Sequence, residues 1–532
     1  MRVLFVARHV TYFRNYESVL RTLASEGHRI HLAAERDESI GGSALVERLV
    51  AECSSVTVGE APRREVDAWM PLTTKIRLAL DYLRYLDPMY DGTPKLRARA
   101  AERAPAFIVR FGESRWARIG VARRALRRVL IGAEAALPPS RQIEAYLRQQ
   151  APDVILVTPL IGVVSSPQPD YVRAARALGI PTGLCVWSWD HLSSKALIRD
   201  MPDRVFVWNN VQRDEAERLH RVPTDRIVVT GAQCFDHWFG RSPSRTREAF
   251  CAQVGLRADR PFLMYVGSAL FGGSPPEAAF VRSWITALRK SADPRVSSAG
   301  VLVRPHPQRM KEWDHVDLEG LGDVAVWGGN PVTDAARADY FDSLAHSAAV
   351  VGLNTSAFIE AAIAGRPVLA VLPDEFRDNQ EGTIHFHYLT GVAGGIVRTS
   401  RTLDEHLTQL SDVLASPPAR SGHEAFLRAF VRPLGLEVPA TPVFAAGVSA
   451  LARTRVEAAS SRPLAGRMWL TGFRRLAGSP RYRAWMMDEE DRRVAEWRDT
   501  KAQARAAHRR AGLDEQQRAE AEERLRAQRT AP

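Results

Sequence analysis

Short apolar runs, each closed by a polar or glycine break, alternate along much of this chain with segments whose apolar positions repeat at helical spacing. Residues 3–7 read as a buried strand, 16–26 as a helix ended by Gly27, and 28–33 as a second strand. Together they predict a βαβ unit opening a parallel sheet. The alternation stops near residue 61. From there to about 145 the periodicity is helical and no strand-like run occurs, which predicts a helical insertion. Strand patterns return at 154–158, 181–187, 204–208 and 227–230, with helices at 169–178 and 211–220 between them. Residues 236–260 read as a linker carrying one helix. A second series follows, with strands at 262–266, 300–303, 324–326, 349–352 and 367–371 and helices at 277–290, 340–347 and 356–364.

The predicted fold class is therefore α/β, with two Rossmann-like doubly wound domains facing a cleft. The first spans 1–235 and carries the insertion; the second spans 261–435. A C-terminal region, 436–532, adds helices and a charged tail. In such folds ligands bind at the carboxyl ends of the strands, between the domains. A length of 532 residues suits two or three domains.

Charge adds one feature. The formal net charge is +12, and residues 61–140 alone hold 16 Lys and Arg against 8 Asp and Glu, a surplus of +8. Two readings stand: an arginine-rich composition with no partner implied, or a surface that meets anionic lipid or a phosphorylated substrate. No nucleic-acid-binding motif accompanies the charge. After about residue 455, Met468, Trp469, Phe473, Tyr482 and Trp485 are interleaved with arginine. That pattern predicts either attachment to a membrane surface or a helix packed back on the first domain. From Asp488 onward the chain is Glu-, Arg- and Ala-rich and reads as a solvated or disordered tail. The opening residues do not form a signal peptide, and no run is long enough to span a membrane. Four scattered cysteines form neither a disulfide framework nor a zinc pattern. These features point to the cytoplasm, with peripheral contact at the inner face of the plasma membrane.

Candidate chemistry concentrates where strands end. Arg304-Pro305-His306-Pro307 follows one strand; Asn354-Thr355-Ser356 follows another and opens a helix that carries Glu360. Free N–H groups at a helix start suit a diphosphate, and Arg304 can pair with phosphate bidentately. His306 can donate to the phosphate or protonate a leaving group. Glu360 can accept from a ribose diol. Gly267 and Ser268, with Gly272 and Gly273, form a glycine-rich loop that lets backbone approach a phosphate. Duller roles are open too: Thr355 or Ser356 as a helix cap, Arg304 as a structural ion pair. In the first half, Asp190 and His9 each sit at a strand end and are the candidates for the base that takes an acceptor proton, although Asp190 also suits a helix cap and His9 a solvated loop. Lys195 can pair with phosphate or with Asp190. His385 and His387 with Asp378 are a weak metal pattern, and no metal is expected. No GxGxxG and no P-loop motif occurs, which argues against a nicotinamide enzyme or a P-loop NTPase.

The segment 304–307, the stretch 350–356 and residues 360–368 resemble bacterial GT-B glycosyltransferases of surface and capsular polysaccharide assembly, near capsule Kdo transferases, CDP-glycerol glycerophosphotransferases and UDP-GlcNAc 2-epimerase-like proteins. The resemblance is best over about 260–400. Residues 187–195, 208–210 and 231–236 resemble a pattern in uncharacterised members of the same group. The resemblance implies that the second half binds the nucleotide of an activated donor, and that Asn379 and Gln380 contact the donor sugar. It implies a transferase that moves a sugar from a nucleotide-sugar donor to a cell-surface glycan or lipid-linked acceptor. The absence of a D-x-D element at a strand end points to transfer without metal and without a separate cofactor. A glycerophosphotransferase, a sugar-nucleotide 2-epimerase and a non-catalytic scaffold binding nucleotide or glycan are the alternatives on this fold.

Overall fold

A computed structural model of the chain describes residues 1–36, 42–64, 69–160, 168–314, 316–416, 420–458 and 464–482. Its first sheet is wholly parallel. The strands are β1 (Arg2–His9), β2 (Arg29–Arg36), β3 (Val56–Glu60), β4 (Val154–Thr158), β5 (Thr182–Cys185), β6 (Arg204–Val207) and β7 (Ile227–Val229), in the order β3-β2-β1-β4-β5-β6-β7. The second sheet holds β8 (Phe262–Val266), β9 (Gly300–Arg304), β10 (Val324–Val326), β11 (Ala349–Gly352), β12 (Val368–Val371) and β13 (Val397–Ser400), in the order β10-β9-β8-β11-β12-β13.

Each sheet begins in its middle and reverses direction there. The switch falls between β1 and β4, where Val3 pairs with Val154, and between β8 and β11, where Val266 pairs with Gly352. Crevices for ligands open at such points, outside the carboxyl ends of the strands. The central strands are buried on both faces, as parallel sheets require, which is why β4, β8 and β11 read as unbroken apolar runs.

Two edge strands depart from the sequence pattern. β3 (VTVGE) is largely exposed and β13 (VRTS) is mostly polar, so neither carries the apolar run that marks a strand. The first helix also differs: residues Val10–Tyr16 form a 3-10 segment before the α-helix Glu17–Ser25 begins. After the second sheet the helix Ala440–Ala452 returns to the first. Phe444, Ala445, Val448 and Leu451 lie in the same core as Phe5, Tyr16 and Phe206. Asp236 anchors its start, accepting from the Ala440 and Thr441 N–H groups at 3.1 and 2.7 Å and pairing with Arg432.

The insertion is helical, with Met70–Arg84, Pro94–Ala101, Ala106–Glu113 and Gly120–Ala136 as its main helices. Its apolar centre is Tyr82, Tyr85, Tyr90, Leu96 and Ile108, and Phe271 and Ile384 from the second half pack against it. Part of its positive charge is structural: Arg77 and Arg64 both reach the buried Asp170.

By packing the chain divides into two compact units. One comprises Met1–Glu65, Arg77–Ile131 and Pro139–Ser461 and holds both sheets; the other comprises Val66–Ile76, Gly132–Pro138 and Arg462–Pro532 and includes the helix Leu464–Gly478. Among the described residues no helix is long and apolar enough to cross a membrane. Trp485 and the predicted tail lie outside the described residues.

Candidate active site at the interdomain crevice

The first wall is built on the loop after β1. Phe13 and Tyr16 are fully buried against Phe5, with ring centroids 5.5 and 5.0 Å apart, and they pin the 3-10 segment to the sheet. The polar residues between them are thereby held at the crevice. Asn15 donates to the Trp187 carbonyl at 2.9 Å and accepts, through its own carbonyl, from Gln233 at 3.1 Å. The loops after β1, β5 and β7 are thus tied together. His9 stacks on Tyr12, which meets Trp187 edge-on at 4.8 Å. Arg14 is exposed; it donates to Asn330 of the second domain at 3.4 Å, and its charge acts on both His306 and Glu360.

Asp190 flanks the helical turn His191–Ser194 after β5. It does not cap that turn. Its carboxylate accepts from Ser188 at 2.5 Å, Ser194 at 3.0 Å and the Lys195 ammonium at 2.8 Å. Burial would raise its pKa, but Lys195 and these donors hold it well below the usual carboxylate range. So low a pKa makes a weak proton acceptor; the group suits a fixed negative charge better. The insertion braces this turn from outside, since Arg84 and Arg99 donate to the carbonyls of Lys195 and Ser194 at 2.6 and 2.8 Å.

Across the crevice the second domain supplies His385. Its ring meets Trp189 edge-on at 4.8 Å, and the Asp190 carboxylate acts on it. Burial pushes its pKa down to about 4, so it is neutral at pH 7. Its Nδ1 is buried without a hydrogen-bond partner. Nearby, Glu215 accepts from the Tyr388 hydroxyl at 2.7 Å, a bond that joins the two domains; burial raises its pKa to about 8. Lys95 of the insertion pairs with Asp378 at 3.7 Å, closing the same side.

The other residues expected to bind the donor divide into two sets. His306 accepts from the Gln308 N–H at Nδ1 (3.2 Å), which leaves its ring N–H on Nε2, and burial lowers its pKa to about 4. Glu360 accepts from the Tyr340 hydroxyl at 2.7 Å, and burial raises it to about 7 against the pull of that hydroxyl and Arg14. Thr355 accepts weakly from the Ala357 N–H at 3.4 Å, while the exposed Ser356 makes no capping bond. These four lie after β9 and β11, beyond the carboxyl ends of those strands.

The remaining residues brace the loops. Arg304 is almost wholly buried, paired with Asp339 at 2.9 Å, bonded to Ser343 at 2.7 Å and laid over Tyr340. The duller reading of that arginine, a structural ion pair, is the one its surroundings favour over a phosphate clamp. Gly267 is needed for close approach, because a Cβ there would stand 2.5 Å from the His306 nitrogen. Ser268 accepts from the Asn354 N–H at 3.2 Å and donates its own N–H to Glu277 at 2.8 Å. Asn379 clips the glycine-rich loop by bonds to Phe271 and Ser274 at 2.7 and 2.8 Å, and Asn354 donates to its carbonyl at 2.6 Å. Gln380 donates to the carbonyls of Leu353 and Val371 at 3.1 and 2.8 Å. The resemblance implies that Asn379 and Gln380 contact the donor sugar; in the structure the Asn379 amide is bonded to the Phe271 N–H and the Ser274 hydroxyl, and the Gln380 amide supplies donors to two buried carbonyls.

Arg14 escaped the sequence reading although it lies five residues after His9 in the same loop. In the sequence His385 stands out only as part of a weak metal pattern. Among the described residues no group of three His, Cys, Asp or Glu side chains is placed to hold a metal ion. His387 instead bonds the Glu381 carbonyl at 3.0 Å.

No protein-family model matches the chain, and no curated protein matches it. Solved structures give distant likenesses. One is a glycosyltransferase from Rickettsia africae, with 11% identity, a TM-score of 0.48, and coverage of 85% of this chain and 99% of that one. Another is UDP-GlcNAc 2-epimerase from Methanocaldococcus jannaschii in complex with UDP-GlcNAc and UDP, with 11% identity, a TM-score of 0.48, and coverage of 85% and 99%. A third is MurG from Acinetobacter baumannii, with 14% identity, a TM-score of 0.43, and coverage of 84% and 99%. At such identities and TM-scores no ligand or reaction carries over. The fold itself, two doubly wound sheets meeting at a crevice with a helix returning to the first, is the GT-B arrangement that the sequence predicts.

Proposed function

We propose that the chain is a GT-B transferase that binds a nucleotide-activated sugar in the crevice and moves the sugar to a hydroxyl of a cell-surface glycan or lipid-linked acceptor. One observation carries this reading: an exposed arginine of the first domain, Arg14, reaches the second domain, donating to Asn330 at 3.4 Å, where its charge acts on His306 and Glu360 at the carboxyl ends of the strands. That grouping suits a nucleoside diphosphate. The guanidinium meets phosphate oxygens, the His306 Nε2–H donates to the same group, and Glu360 accepts from the ribose.

The reaction breaks the bond between sugar and diphosphate and forms one to the acceptor oxygen. Arg14 and His306 stabilise the charge that grows on the leaving diphosphate, and they need no metal to do so. The acceptor proton passes to His9, which stands with Tyr12 and Trp187 on the first wall. The Asp190–Lys195 pair and, across from it in the second domain, His385 line the part of the crevice where the sugar sits. The cysteines are all free, which suits a cytoplasmic enzyme.

The test is a thermal-shift screen against UDP, GDP, TDP, CDP and CMP, repeated with Arg14→Ala and Glu360→Gln. A ligand that binds only the folded chain raises its melting temperature by mass action. A shift with one nucleotide, reduced in both variants, supports the reading. No shift with any nucleotide removes it.

A further inference from the structure

The insertion's aromatic residues divide sharply. Tyr82, Tyr85 and Tyr90 form its core, whereas Phe107 is 58% and Trp116 56% exposed. Ile119 and Val121 follow at 46% and 65%. Four large apolar side chains therefore face solvent within residues 107–121, where burial would ordinarily be favourable.

Charge is interleaved with them. Residues 103–128 contain eight arginines and one glutamate. Unlike Arg77, Arg84 and Arg99, which hold Asp170 and the turn after β5, Arg110, Arg115 and Arg118 are exposed and make no ion pair among the described residues. Arg115 lies over the Trp116 ring, 5.5 Å from its centroid. On the helix Ala106–Glu113, Phe107 and Arg110 are three residues apart, and on Gly120–Ala136 so are Val121 and Arg124; that spacing puts each pair on one exposed face.

Exposed aromatic and branched side chains set among exposed arginines match the boundary of an anionic bilayer. The apolar groups enter between headgroups while the guanidinium groups meet lipid phosphate and acidic headgroups. We propose that residues 107–124 dock the protein on an anionic lipid surface. This goes beyond the donor reading and does not depend on it. Net positive charge favours an acidic bilayer over a second copy of the same basic surface, which would repel it.

The experiment is co-sedimentation of the full chain with vesicles of phosphatidylcholine alone or with about one-third phosphatidylglycerol. Partition into the acidic vesicles alone, falling as salt rises, is the expected result. Phe107→Ala with Trp116→Ala, and separately Arg115→Gln with Arg118→Gln, should each weaken partition by on the order of ten-fold. Melting temperature and any nucleotide shift should stay unchanged, since all four side chains are exposed. Equal binding to neutral vesicles, no binding at all, or variants that pellet like the parent chain would each overturn the proposal. So would self-association without lipid that the same variants abolish, because that would assign the surface to a second copy.

Discussion

The raised pKa of Glu360 makes nucleotide affinity depend on pH in a way that one substitution should remove. Burial lifts the group from 4.5 to about 7, opposed by the Tyr340 hydroxyl and by Arg14. A ribose diol needs the ionised carboxylate as acceptor. With a pKa near 7, roughly nine-tenths of the chains carry that form at pH 8 and about one-tenth at pH 6. The affinity of the free protein should therefore rise about ten-fold from pH 6 to pH 8, close to 1.4 kcal/mol. The terminal phosphate of the nucleotide titrates near pH 6 as well, with a pKa of about 6, so it contributes a slope common to parent and variant. Glu360→Gln keeps an oxygen for the Tyr340 hydroxyl but does not titrate. Isothermal titration calorimetry across that range, with whichever nucleotide gives the thermal shift, should show the ten-fold excess only in the parent chain. Parallel profiles for parent and variant would refute the reasoning, because Glu360 would then not accept from the ligand as a carboxylate.

Arg14→Ala should weaken nucleotide binding by about 2 kcal/mol, the worth of a charge-assisted contact, while leaving the melting temperature of the free protein close to that of the parent; unchanged affinity by calorimetry would place the phosphates elsewhere. Glu215 binds a proton more tightly folded than unfolded, since burial takes it from 4.5 to about 8. Its contribution to stability is full below about pH 4.5 and is lost as pH rises through 8, so Glu215→Gln should match the parent near pH 5 and exceed it near pH 9 by a few kcal/mol, on the order of 3. Denaturant melts at the two pH values test this, and a constant difference would contradict it. Gly267→Ala drives a Cβ to 2.5 Å from the His306 nitrogen, and should lower stability by about 1–3 kcal/mol; an unchanged melting temperature would show that the loop yields freely. Asp190→Asn leaves Lys195, three-quarters buried, without its counter-charge, at a cost on the order of 2 kcal/mol. Restoration by the further change Lys195→Met would confirm that the loss is electrostatic.

The sequence by itself determined the architecture. Central strands such as β4, β8 and β11 are covered on both faces, so their residues are apolar without interruption, and the pattern is visible in one dimension. β3 and β13 were hidden because edge strands need little apolar surface. The strand ends that frame the crevice were legible for the same reason, and with them the loops of His9, Asp190, Arg304 and Asn354. What those side chains do was decided only in three dimensions. Asp190 gained Lys195, Arg304 gained Asp339, Asn379 gained the Ser274 hydroxyl, and Gln380 gained the Val371 carbonyl. Local spacing shows the first of these pairings as one alternative among several, and the others join residues from 9 to 105 positions apart. The charge of Arg14 acts on His306 and Glu360, and that of Asp190 on His385, because two separate sheets meet. Hydrophobic periodicity records which face of an element is buried; it carries no record of which polar group waits on the far side of a crevice.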